Sequence, residues 1–63
     1  MRKGMIPFLV GVKDEKVRRK EELVEIIRLS DKWIDVKAAT KELNDVIAHI
    51  DILADLIERL WDE

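Results

Sequence analysis

The chain has 63 residues, of which 48% are hydrophobic and 41% charged, with a formal net charge of −2 and no cysteine. This length allows one small domain with a marginal core, and the lack of cysteine excludes disulfides. The acidic balance argues against nucleic-acid binding, the apolar share argues against a disordered tail, and charges interrupt every apolar run before it could span a membrane. We expect a soluble, cytoplasmic protein.

The N-terminal segment, residues 1–13, is predicted to be an extended arm or a single short strand. It contains Pro7 and Gly11, and the residues around them are rich in β-forming types. Such a composition, bounded by breakers, is typical of a strand. A lone strand has to pair with another chain or lie along a helix, which makes Phe8 and Leu9 candidate interface residues.

The domain that follows, residues 14–63, is predicted to contain two helices. Asp14 suits an N-cap, so the first helix should run from about 15 to 29. A polar run predicts a connection at about 30–35, and the second helix should run from about 36 to 61. One continuous helix is the alternative. The predicted fold class is all-α: a helical hairpin, or one long helix, that assembles as an oligomeric bundle.

The second helix carries a heptad pattern. From Val36 to Trp61, mostly apolar residues recur at alternating four- and three-residue steps. This spacing is typical of a helix that packs in a bundle. At ~1.5 Å per residue the first helix would be roughly 22 Å long and the second roughly 39 Å, so part of the second would stay uncovered. The surface predicted to form an interface consists of Phe8, Leu9, Leu43, Ile47, Ile50, Leu53, Ile57, Leu60 and Trp61.

Acidic residues at helical spacing are the pattern in the sequence that could form a metal-binding site. Glu22 and Glu25 share one face of the first helix, and Glu42 and Asp45 share one face of the second. If the helices fold back antiparallel, the four carboxylates would converge. Oxygen ligands of this type suit Mg²⁺.

This pattern resembles the MazG-like superfamily of all-α nucleoside triphosphate pyrophosphohydrolases over about residues 18–60. The family motif has two adjacent glutamates, a third three residues later and, after a spacer, Glu-x-x-Asp. The matching residues are Glu21, Glu22, Glu25, Glu42 and Asp45. The resemblance implies that these acids hold Mg²⁺ against a nucleoside triphosphate and position water for attack between the α- and β-phosphates.

The function predicted from these patterns is a non-catalytic module for oligomerisation and protein interaction, with no catalytic residue and no cofactor. Its partners would be a copy of itself, as a dimer or larger bundle, and another protein that it regulates, bridges or inhibits. The alternative is the Mg²⁺-dependent pyrophosphohydrolase-like protein, active or degenerate. A lesser alternative is a ribbon–helix–helix DNA-binding dimer, because a strand followed by two helices has that order.

Overall fold

The computed structural model describes residues 2–62 and consists almost entirely of helix. A 3-10 turn at Arg2–Met5 leads into helix α1 (Ile6–Leu29), and helix α2 (Trp33–Asp62) follows after three residues. The two helices contact each other as a hairpin. The all-α class and the hairpin are thereby confirmed, and the continuous helix is excluded. Met1 of the predicted arm and Glu63 of the predicted domain lie outside the described residues.

The predicted extended arm is wrong for residues 2–13, which are helical. Pro7 lies in the first turn of α1, where a missing N–H costs no helical hydrogen bond. Gly11 lies inside α1 without a positive φ. Ile6 and Leu9 become buried in the hairpin, and this burial outweighs the poor helix propensity of glycine. The ribbon–helix–helix alternative required a strand here, and residues 2–13 contain none.

The connection is shorter than predicted, covering residues 30–32 instead of about 30–35. Helix α1 ends at Leu29 as expected, and the Ser30 N–H donates to the Ile26 carbonyl at 2.9 Å. Ser30 itself is extended, with φ −79° and ψ 135°. Its hydroxyl oxygen accepts a hydrogen bond from the Lys32 N–H at 3.2 Å, directly before α2 begins. The chain therefore reverses within three residues.

The two helices differ in length by less than predicted, because α1 begins at Ile6 and not at about residue 15. Helix α1 has 24 residues and α2 has 30, or roughly 36 Å and 45 Å at ~1.5 Å per residue. The 3-10 turn extends α1 further, and Lys3 Nζ lies 5.9 Å from the centre of the Trp61 ring near the end of α2. Each helix is consequently covered along its length on one side only.

The core is a single row of side chains between the helices. Leu23 is 1% exposed and packs with Ala39 and Val46. Partly buried side chains surround this cluster, namely Ile27, Leu43 and Ile50. Lys16 stands seven residues from both Leu9 and Leu23, on the same side of α1, and interrupts the apolar row. The Cα atoms span only 48 × 14 × 11 Å, so the described chain has no third layer to enlarge this core.

Candidate functional site: two uncovered faces of the hairpin

Two faces flank the buried row, one on either side of the plane that contains both helices. Residues three or seven apart in a helix lie on the same side of it, which assigns each residue to a face. The ionic face is defined by Arg19, Glu22 and Ile26 on α1 with Asp35, Glu42, Asp45 and His49 on α2. The apolar face is defined by Val10, Val17 and Val24 on α1 with Trp33, Thr40, Ile47, Ala54 and Trp61 on α2.

The centre of the ionic face is an ion-pair cluster around Arg19. Its Nε donates to Glu42 Oε2 at 2.6 Å and its Nη2 to Glu42 Oε1 at 3.1 Å, which is a bidentate pair between the two helices. Its Nη1 donates to Glu22 Oε2 at 3.0 Å. The hydrogen bonds from Arg19 hold the pKa of the Glu42 carboxyl below its usual value. The same bonds raise the pKa of Arg19.

The four acids predicted as alternative metal ligands do not form one group. Glu22 and Glu42 converge, but on the guanidinium of Arg19. Glu25 pairs with Arg28 at 3.7 Å instead, and Asp45 lies exposed one turn beyond Glu42. Within residues 2–62, no cluster of three or more His, Asp or Glu side chains is placed to hold a metal ion.

Arg19, the cation that joins two of these acids, was not among the predicted site residues. Arg19 precedes Glu22 by three residues, a spacing that places both on one side of α1. That spacing is the signal in the sequence that places Arg19 beside Glu22.

The apolar face differs from the ionic face because no charged residue lies on its two rows. The α2 row begins with Trp33, which is 72% exposed, and ends with Trp61, which is 62% exposed. Ile47 in the middle is 39% exposed. Exposed polar residues border this row on the side away from α1: Lys37, Asn44, Asp51 and Glu58. An apolar stripe with such a polar margin is typical of a helix face in a bundle.

The nine predicted interface residues fall into two groups. Six lie buried or half-buried in the rows that face the other helix: Leu9, Leu43, Ile50, Leu53, Ile57 and Leu60. The other three, Phe8, Ile47 and Trp61, are exposed. Trp33 lay in the predicted connection and was not among the nine predicted interface residues. Its spacing of seven residues from Thr40 places it on the same row.

Each end of the apolar face carries a tryptophan with a lysine above its ring. Lys37 Nζ lies 5.1 Å from the centre of the Trp33 ring, and Lys3 Nζ lies 5.9 Å from that of Trp61. Both distances are within the ~6 Å range of cation–π attraction. The lysines leave the two rings accessible, since both tryptophans stay mostly exposed.

Comparisons of the chain with models of known protein families, with curated proteins and with solved structures gave no match. Neither helix contains, within residues 2–62, an apolar stretch of the length needed to cross a membrane.

Proposed function

We propose that this protein is a non-catalytic helical module that associates with copies of itself, as a dimer or larger bundle. Through that assembly it regulates, bridges or inhibits another protein. One observation carries the proposal: among the described residues, five hydrophobic side chains are buried, whereas twelve large ones are exposed. The exposed set consists of Met5, Phe8, Val10, Val24, Ile26, Leu29, Trp33, Ile34, Ile47, Ile52, Leu56 and Trp61.

This imbalance follows from the architecture. A hairpin offers each helix one neighbour, whereas a helix with a broad apolar surface needs two neighbours, as in a four-helix bundle. Each Å² of apolar surface removed from water contributes about 25 cal/mol. A chain of this size without disulfides usually obtains the missing burial through association. Contiguous exposed apolar surface is also the usual mark of a protein-binding site.

The Arg19 cluster supports a structural use of the acidic residues. A metal site of the pyrophosphohydrolase type leaves its carboxylates free to bind a cation. Here two of the four acids face a guanidinium already present in the chain. The ion pair links α1 to α2 and favours the hairpin over other arrangements of the same helices.

The test is the mass of the protein in solution. Light scattering and sedimentation at micromolar concentration should give a multiple of the 7.4 kDa chain mass. The melting temperature should rise with protein concentration, because association stabilises the folded chain by mass action. A folded 7.4 kDa monomer with a concentration-independent melt would contradict the proposal.

A further inference from the structure

The α2 row of the apolar face has a symmetric sequence of side-chain sizes. Its five residues, Trp33, Thr40, Ile47, Ala54 and Trp61, run large, small, intermediate, small and large. The order is the same from either end, with Ile47 at the centre. If a second α2 helix packed antiparallel against this row, about a two-fold axis at Ile47, each residue of the row would therefore face a residue of similar size in the second copy.

That antiparallel arrangement pairs residues by size. Trp33 meets Trp61 of the second copy at both ends of the contact. Thr40 meets Ala54 of the second copy, and these small side chains let the helix axes approach to the usual 8–10 Å. Ile47 meets its own equivalent on the two-fold axis, as a self-complementary interface requires.

The charges beside the row select the antiparallel direction. The bordering residues, in chain order, are Lys37, Asn44, Asp51 and Glu58. About the axis at Ile47, Lys37 of one copy lies level with Glu58 of the other, and Asn44 lies level with Asp51. A parallel pairing would set Lys37 against Lys37 and Glu58 against Glu58, which is unfavourable.

A third arrangement, with α1 of one copy on α2 of the other, also brings like charges together. Arg19 pairs with Glu42, and Lys3 lies over Trp61. These contacts fix which residues of α1 and α2 lie at the same height along the hairpin. In the third arrangement, Arg28 of one copy would therefore lie within a turn of Lys37 of the other copy, and Asp14 within a turn of Asp51.

The ionic face is a poorer interface still, because burying it would desolvate the Arg19 cluster.

From these pairings we infer that the apolar face of α2 binds the same face of a second copy, antiparallel, about a two-fold axis at Ile47. The inference rests on the proposed self-association and names its partner surface. Lys37, which already lies over the Trp33 ring, then faces Glu58 of the second copy, while Trp61 of that copy stacks on Trp33.

Cysteine cross-linking tests this geometry, because the chain has no cysteine of its own. Ile47→Cys places two thiols together at the axis and should give a disulfide-linked dimer under mild oxidation. Thr40→Cys alone should not, since its equivalents would lie about 21 Å apart along the helices, far beyond the ~4.4–6.8 Å between Cα atoms that a disulfide needs. Mixing Thr40→Cys with Ala54→Cys should give the mixed dimer, identified by mass spectrometry.

The matched control is Ala48→Cys, which adjoins Ile47 but points away from α1 and from the apolar face. It should cross-link far more slowly than Ile47→Cys. The helical circular dichroism signal is recorded for every variant. If Ile47→Cys loses its helicity, the mixed cross-link between Thr40→Cys and Ala54→Cys tests the antiparallel geometry instead. Both of these residues are small and neither is buried, so their replacement should leave the fold intact.

The outcomes separate this inference from the proposed function. Self-cross-linking of Thr40→Cys would show a parallel pair and overturn the inference. A dimeric mass without cross-linking through Ile47 or the mixed pair would place the second copy on another surface, which overturns the inference and leaves the proposed function standing. A monomeric mass would overturn both.

Discussion

Arg19 of α1 holds Glu42 of α2 in a bidentate ion pair, with Nε–Oε2 at 2.6 Å and Nη2–Oε1 at 3.1 Å. The two residues are 23 positions apart, on opposite arms of the hairpin. The pair therefore fixes which turn of α1 lies beside which turn of α2. Both side chains remain close to half exposed, so water and salt weaken the attraction.

The first prediction concerns the pH dependence of this pair. Glu42→Gln should lower the melting temperature slightly at neutral pH. The folded pKa of Glu42 is below its usual value of 4.5, so its contribution is fully present above about pH 4.5 and is lost as the pH falls through the folded pKa. The gap between parent and variant should therefore close in acid. Glu21→Gln, on the far side of α1, is the control, and a gap that persisted in acid would contradict the prediction.

The second prediction concerns Mg²⁺. Because Arg19 already pairs with Glu22 and Glu42, millimolar Mg²⁺ should leave the melting temperature unchanged apart from weak salt screening. The double variant Glu22→Gln, Asp45→Asn should respond to Mg²⁺ as the parent does. Differential scanning calorimetry with and without Mg²⁺ measures this. A rise that the double variant lacks, with pyrophosphate release from a nucleoside triphosphate, would instead favour the pyrophosphohydrolase interpretation.

The third prediction concerns Leu23, which is the most deeply buried core side chain among the described residues. Leu23→Ala should destabilise the fold by about 2–5 kcal/mol, through lost burial and the cavity that remains. A core of this size supplies only about 3–5 kcal/mol in total, so the variant should be largely unfolded. Leu29→Ala removes the same atoms from a side chain that is 69% exposed and should cost much less. Urea denaturation of the two variants at equal concentration provides the comparison.

The fourth prediction tests the helical start of α1. Gly11 lies inside the helix, and a Cβ added there meets no atom within 4 Å. Gly11→Ala should therefore stabilise the fold by roughly 0.5–1 kcal/mol. Ala48→Gly, at an exposed position in α2, should destabilise it by a similar amount. An unchanged melting temperature for Gly11→Ala would indicate that this segment is not helical in solution.

The fifth prediction concerns the charges beside the apolar face. Lys37→Glu or Glu58→Lys alone would set like charges level with each other in the antiparallel dimer, and each should weaken the dimer several-fold. The double variant restores opposite charges and should recover most of the affinity. Sedimentation equilibrium at low salt measures this. Lys37 and Glu58 are 21 positions apart on one helix, so rescue can only come from contact between copies. Failure of the double variant to recover would contradict the pairing.

Local signals in the sequence were sufficient for part of this structure. The heptad pattern in α2 predicted a long helix with a broad apolar side, and the end of α1 at Leu29 agrees with the prediction. The polar run at 30–32 predicted the reversal. These features depend on spacing, capping and polarity within a few residues, which are properties of the chain itself.

The N-terminal segment depended on tertiary contacts instead. Pro7 and Gly11 weaken a helix by their intrinsic preference, and only the burial of Ile6 and Leu9 in the hairpin offsets that cost. The longer α1 that results covers α2 along its length. The apolar surface that remains is therefore a face along the hairpin and not an uncovered end.

The chain alone determined that its acids and apolar residues recur at helical spacing, because periodicity is a local property. Only the packing of α1 on α2 decided that Glu22 and Glu42 meet at Arg19, and that Leu9 and Leu43 turn inward while Trp33, Ile47 and Trp61 stay exposed. Periodicity places residues on one side of a helix. Which side the neighbouring helix covers is set by the burial gained over both helices together.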